Sequence, residues 1–196
     1  MEIIIATKNE GKLTEFQRML EPLGFCVFSQ VQAGILNQAE EDGLTFEENA
    51  KRKARYIFER TGKATIADDS GLCVDALKGA PGVYSARYAG ENASDADRNR
   101  LLLRNMEHVP EQQRTAKFVC AIAVVLPKEE FCVFGECRGM IGYSPKGNGG
   151  FGYDPLFLVG DRSFSELSAE EKDRISHRGI ALRALVEELK RRGSKE

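Results

Sequence analysis

A mixed α/β domain is what this sequence predicts, and three features predict it. A β-branched run at the start, Glu2 to Ala6, passes through the polar stretch Thr7-Lys8-Asn9-Glu10-Gly11 into a segment with Leu13, Phe16 and Leu20 at helical spacing. A second helical pattern opens on Thr45-Phe46-Glu47-Glu48, the spelling of a capping box with Thr45 as cap, and runs from about Thr45 to Arg60. Two long β-rich stretches, Thr115 to Leu126 and Glu130 to Gly139, are separated by a short polar break and read as an antiparallel pair.

The remaining elements fall between these. Pro22 and Gly24 close the first helix, and Phe25 to Ser29 returns as a strand, so the chain opens as a β-α-β unit. Residues 30–44 are polar and irregular and end in Glu40-Glu41-Asp42-Gly43. Ala64 to Ala67 is a short strand that leaves the sheet at Asp68-Asp69-Ser70-Gly71, and Leu72 to Leu77 is a further brief extended stretch. Four glycines and a proline within residues 79–93 predict a long loop, of the kind that often carries function. A helix follows over Ser94 to Met106; a glycine-rich stretch covers residues 142–155; helical segments end the chain at Ser168 to Arg174 and Ser176 to Arg191. Periodicity does not fix the strand order.

Composition narrows the function. The chain has 196 residues, 42% hydrophobic and 30% charged, enough for one well-packed domain. Lys and Arg number 28 against 30 Asp and Glu, so the net charge of −2 offers no basic field for a DNA or RNA backbone. No apolar run reaches membrane-spanning length, and no signal peptide opens the chain, so the cytoplasm is expected. The five cysteines lack a C-x-x-C, and four lie in apolar runs, which reads as reduced core thiols.

Five clusters carry possible chemistry, each with a plainer reading beside it. Asp68 and Asp69, with Glu40 and Glu41 upstream, offer hard oxygen ligands for magnesium, although an acidic pair after a strand is commonly a solvated turn. Thr7, Lys8, Asn9, Glu10, Gly11 and Lys12 join a strand to a helix start, where free N–H groups attract phosphate; an ordinary polar turn looks the same, and no Walker motif is present. Lys53 alone reads as a solvated helix face. Gly147 to Gly152 spells G-x-G-x-x-G but precedes Tyr153-Asp154-Pro155 rather than a helix, which rejects a dinucleotide fingerprint. A glycine run ending in Phe151-Gly152-Tyr153-Asp154 suits a flat ligand stacked on an aromatic ring, or simply a loop pinned by a core Phe. His177 and Arg178, behind the cap Ser176, are donors for a base carbonyl or a surface pair; no cysteine or second histidine stands near enough in sequence to make a zinc site of His177.

Taken together, Ala6-Thr7-Lys8-Asn9-x-x-Lys12-x-x-Glu15, Asp68-Asp69-Ser70-Gly71-Leu72, Pro81-Gly82-Val83-Tyr84-Ser85-Ala86-Arg87, Phe151-Gly152-Tyr153-Asp154-Pro155 and Ser176-His177-Arg178-Gly179 resemble the non-canonical purine NTP pyrophosphatases, the inosine triphosphatase family, over nearly the whole chain. That resemblance implies an elongated α/β fold: a mixed central sheet flanked by helices, with residues 1–196 forming a single domain of two lobes around a nucleotide cleft, and a homodimer. It implies hydrolysis of ITP, dITP and XTP to the monophosphate and pyrophosphate with Mg2+, cleansing the nucleotide pool. Thr7 to Lys12 and Lys53 would hold the triphosphate, Asp69 with Glu41 or Glu40 would serve the metal, and Asp69 supported by Asp68 would be the general base. Ser70 would contact substrate, Phe151 and its neighbours Gly152 and Tyr153 would stack on or border the purine, and Asp154, Lys172, His177 and Arg178 would surround its edge. Lys8 stands where many relatives carry Gly, making this loop more cationic. The rival classes are a nucleotide sensor that binds without turnover and a phosphatase or pyrimidine pyrophosphatase on a similar scaffold.

Overall fold

The computed structural model, which describes residues 2–193, contains seven strands and five α-helices. The strands are β1 (Glu2–Ile5), β2 (Cys26–Ser29), β3 (Thr65–Val74), β4 (Thr115–Val125), β5 (Glu130–Ile141), β6 (Phe157–Val159) and β7 (Arg162–Ser163). The helices are α1 (Glu10–Leu20), α2 (Phe46–Thr61), α3 (Asp95–Asn105), α4 (Ala169–Ile175) and α5 (His177–Gly193). The sheet order is β2-β1-β3-β4-β5-β6-β7. β1 is parallel to both β2 and β3, with Ile4 opposite Thr65 and Ile5 opposite Ile66. β6 is antiparallel to β5 and β7, so the sheet is mixed.

The chain divides into two compact units, one of residues 1–69, 120–135 and 180–196, the other of residues 70–119 and 136–179. In the first, every side chain of the Ile3-Ile4-Ile5 run is buried, because helices cover both faces of the sheet. Ile3 and Ile5 pack with Phe16 and Leu20 of α1 and Leu182 and Leu185 of α5. Ile4 points the other way, onto Ala50, Ala54 and Ile57 of α2. Alternate residues of β4 obey the same two-faced rule: Cys120, Ile122 and Val124 join the first cluster, and Ala121, Ala123 and Val125 the second.

In the second unit the core is aromatic. Phe118 packs edge-on against Phe157, with centroids 4.7 Å apart, and face-on against the His177 ring at 4.6 Å. Leu72, Val74, Leu102, Met106, Ile141 and Leu156 fill the space around them. Arg114 is almost wholly buried without a carboxylate: its guanidinium donates to the carbonyls of Ile141, Met106, Val109 and Gly142. Four carbonyl dipoles thus do for this cation what water would do outside.

The structure corrects three expectations about elements. Residues 65–74 form one continuous strand, so Asp68-Asp69-Ser70-Gly71 lies inside the sheet and does not leave it. The capping box expected at Thr45 is shifted at one arm: Thr45 Oγ1 accepts the Glu48 N–H, but Glu48 turns back to the N–H of Leu44. The loop over residues 79–93 contains a 3-10 segment, Gly82–Arg87. The cysteines are all free thiols, but Cys26 is exposed because it sits on the outer face of the edge strand β2, leaving Cys120 and Cys137 as the buried ones.

Candidate active site

In the first unit, β3 carries Asp68 and Asp69 in succession, turned to opposite faces of the sheet, and each receives a lysine from a different helix. Lys12 Nζ of α1 lies 3.0 Å from Asp68, and Lys53 Nζ of α2 lies 2.9 Å from Asp69. Lys53 also stands 3.4 Å from Glu41, so one ammonium bridges Asp69 and the acidic loop. Glu40 is exposed. Burial alone would pull the Lys53 ammonium down, but the carboxylates of Asp69, Glu41 and Asp68 outweigh it and hold its pKa above the ordinary lysine value. For Asp69 burial wins over the attraction of Lys53 and Lys12, and its carboxyl titrates above the usual range.

The loop before α1 is tied down by its own side chains. Thr7 Oγ1 accepts the Asn9 N–H, and Asn9 Oδ1 accepts the Lys12 N–H, which caps the helix. Glu10 and Gly11 contribute the other N–H groups of the first turn, a position that suits an anion. A half-open pocket of about 290 Å³ lies here, lined by Thr7, Lys8, Asn9, Glu10, Leu13, Ser29, Val31 and Gln32.

In the second unit, Phe151 is framed by cations. Lys172 Nζ lies 4.7 Å and the Arg178 guanidinium 5.8 Å from its ring centre. Asp154 accepts from Lys172 at 2.7 Å and from the Phe151 N–H at 2.9 Å. A side chain at Gly150 would put its Cβ 2.1 Å from that carboxylate, so glycine permits this turn. Arg178, 2% exposed, donates to Ser70 Oγ at 2.8 Å. Tyr153 and His177 stand differently from the rest. The Tyr153 hydroxyl donates to the Ser85 carbonyl and its ring lies in the core, while His177 is stacked on Phe118.

No three His, Cys, Asp or Glu side chains converge as a protein-only metal cage among the described residues. The donor chemistry nevertheless fits magnesium, which takes one or two carboxylates and completes its shell with substrate phosphates and water. Asp69 and Glu41, brought together through Lys53, are such a pair.

The Ham1 family model matches residues 3–188. The chain belongs to the Ham1 family. It is 52% identical over 187 residues to a dITP/XTP pyrophosphatase of Bacillus licheniformis, covering 94% of this chain and 95% of that one. A dITP/XTP pyrophosphatase of Bacillus subtilis is 48% identical over 187 residues, 94% of each chain. Among solved structures, a HAM1 protein from Coxiella burnetii superposes with a TM-score of 0.88 at 41% identity, over 97% of this chain and 99% of that one. The Ham1 protein of Staphylococcus aureus gives 0.86 at 40% identity, over 97% and 98%.

Three residues of this Ham1-family site escaped motif reading. Asn49 of α2, fully buried, donates to Asp69 at 3.2 Å. Asp95 and Asn99 of α3 grip one residue of the Phe151 loop from both sides: Asp95 accepts the Gly152 N–H at 2.6 Å, and Asn99 donates to the Gly152 carbonyl at 3.0 Å. A signal existed for Asn49, because it occupies the apolar stripe of its helix together with Ala50, Ala54 and Ile57. A polar side chain in such a stripe must find a buried partner.

Proposed function

We propose that this protein hydrolyses non-canonical purine nucleoside triphosphates, ITP, dITP and XTP, to the monophosphate and pyrophosphate. The observation that carries the reading is the paired arrangement on β3, Lys12 with Asp68 and Lys53 with Asp69 and Glu41. Cations beside a carboxylate pair, next to a helix-start anion seat, suit a triphosphate and the water that attacks it. The very next residue, Ser70, is bonded to Arg178, which borders the Phe151 ring, so covalent continuity of β3 links the two sets of residues. The names of the curated relatives support the same substrate class.

Thr7, Lys8, Asn9 and Glu10, which line the pocket at the start of α1, hold the phosphates together with Gly11 and Lys12, and Lys53 adds a cation. Asp69 takes the proton of the attacking water, with Asp68 keeping Lys12 at its side. Asp69 and Glu41 are the residues that would hold Mg2+, with exposed Glu40 beyond them. When bound, the metal supplies neutralisation of the charge that builds on the departing pyrophosphate. Phe151 stacks on the purine with Gly152 beneath its edge. Lys172 and Arg178 supply donors and Asp154 an acceptor, matching the O6 acceptor and N1–H donor of hypoxanthine and xanthine. Adenine presents the reverse pattern and leaves these groups unpaired, a mismatch able to reject by about 10⁴-fold. Tyr153 and His177 remain with the base-binding group as the chain neighbours of Asp154 and Arg178, their own rings anchored in the core.

We also assign the chain to the cytoplasm, where its nucleotides are made, and to a homodimer, the state that the family resemblance implies; sedimentation equilibrium at one chain mass would contradict the dimer. The chemistry itself is tested by hydrolysing ITP in 18O-labelled water. Attack at the α-phosphorus puts the label in IMP and none in pyrophosphate. Label in pyrophosphate, or release of orthophosphate, overturns the reading.

A further inference from the structure

Helix α2 reaches the β3 carboxylates with two side chains one turn apart, Asn49 and Lys53, which therefore share a helix face. They divide the Asp69 carboxylate between them: Lys53 Nζ sits 2.9 Å from Oδ1, and Asn49 Nδ2 sits 3.2 Å from Oδ2. Each oxygen thus has one donor from the same rigid helix, which fixes the plane of the carboxylate. Each also retains a lone pair, because an ionised carboxylate accepts about four hydrogen bonds.

The other end of the Asn49 amide leads to the acidic loop. Its Oδ1 accepts the backbone N–H of Gly43 at 2.8 Å, two residues after Glu41. A backbone N–H can only donate, so it settles which end of the amide is the oxygen and leaves the NH2 facing Asp69. The approach is so close that a Cβ on Gly43 would lie 2.6 Å from that oxygen. Asn49 is fully buried, so water does not stand in for either partner.

We propose that Asn49 is a positioning residue: through one amide it sets the Asp69 carboxylate and the Glu41-bearing loop in register, so that the two carboxylates serve the same metal ion. This rests on the assignment of Asp69 and Glu41 given above.

Asn49→Asp separates the two ends of the amide. The new side chain keeps the oxygen that accepts from Gly43, but the opposite atom has no proton to give and faces Asp69 as a like charge. The variant should lose 10- to 100-fold in kcat, the usual cost of removing a partner that orients a metal-binding side chain, while KM for ITP stays within about twofold. Affinity for Mn2+ in the presence of the α,β-methylene analogue of ITP, read from the free Mn2+ signal by electron paramagnetic resonance, should weaken by about 10-fold or more. Thr45→Ala is the structural control, since it removes the cap of the same helix and leaves the amide in place. It should lower the melting temperature with kcat and Mn2+ affinity unchanged. The proposal is overturned if Asn49→Asp keeps native kcat and Mn2+ affinity while Asp69→Asn is inactive, or if Thr45→Ala weakens Mn2+ binding as much as Asn49→Asp. Native turnover in Asp69→Asn would instead sink the underlying assignment of the site.

Discussion

In the function proposed above, Arg178 is the side chain that commits the site to a kind of base. A guanidinium cannot be silenced by losing a proton, so at 2% exposure it must spend its donors on acceptors it can reach. Ser70 takes one of them. The guanidinium also lies 5.8 Å from the centre of the Phe151 ring, and the base-binding role proposed above gives it a purine O6 to donate to. Truncation to alanine should therefore lower kcat/KM for ITP by about 10-fold or more, the worth of a hydrogen bond to a charged group, and leave ATP hydrolysis nearly unmoved. Steady-state kinetics with both nucleotides check this; an unchanged ITP-to-ATP ratio would remove Arg178 from base reading. Arg178, Asp69 and Lys12 stood out because each belongs to a motif, whereas Lys53 alone reads as a solvated helix face and came only with the family resemblance. Asn49 was legible only as a polar side chain in the apolar stripe of its helix, and that spelling does not say which buried group it meets. Its role depends on residue 69, twenty positions away and on another element.

At the scale of elements, helix α3 holds the Phe151 loop much as α2 holds the carboxylates. Asp95 and Asn99 are one turn apart and hold both sides of the Gly152 residue, whose backbone is in the left-handed region at φ 63°. With its peptide groups fixed there, the loop presents Phe151 in one orientation. Replacing Asn99 by alanine leaves the Gly152 carbonyl without this donor, so KM for ITP should rise several-fold, while inhibition by pyrophosphate, which needs only the phosphate seat, stays as it was. Inhibition constants and KM measured together separate the two; parallel losses in both would mean that α3 serves the fold and not the loop. Element boundaries were readable wherever a cap was, as at Ser94, Ser168 and Ser176. β3 was not. Two aspartates and a serine imitate a turn, and only their burial against Lys12, Lys53 and Arg178 explains why the strand runs on through them.

For the whole molecule, local pattern reaches the α/β class but not the order β2-β1-β3-β4-β5-β6-β7, since pairing between β1 and β3 joins segments about sixty residues apart and leaves no local mark. What the full chain does is constrained by charge. With a net charge near zero, attraction for a highly charged substrate has to come from the local cations at Lys8, Lys12 and Lys53, partly balanced by Asp68, Asp69 and Glu41. Such a balance favours a triphosphate that arrives with its own counter-ion, and carboxylates facing bare phosphates would repel them. The most direct test of the account is pyrophosphate release from ITP, XTP, GTP and ATP, each with magnesium and with the metal chelated. It predicts fast release from ITP and XTP that disappears on chelation, with ATP nearly inert. Equal turnover of ATP, or release that survives without the metal, would contradict it.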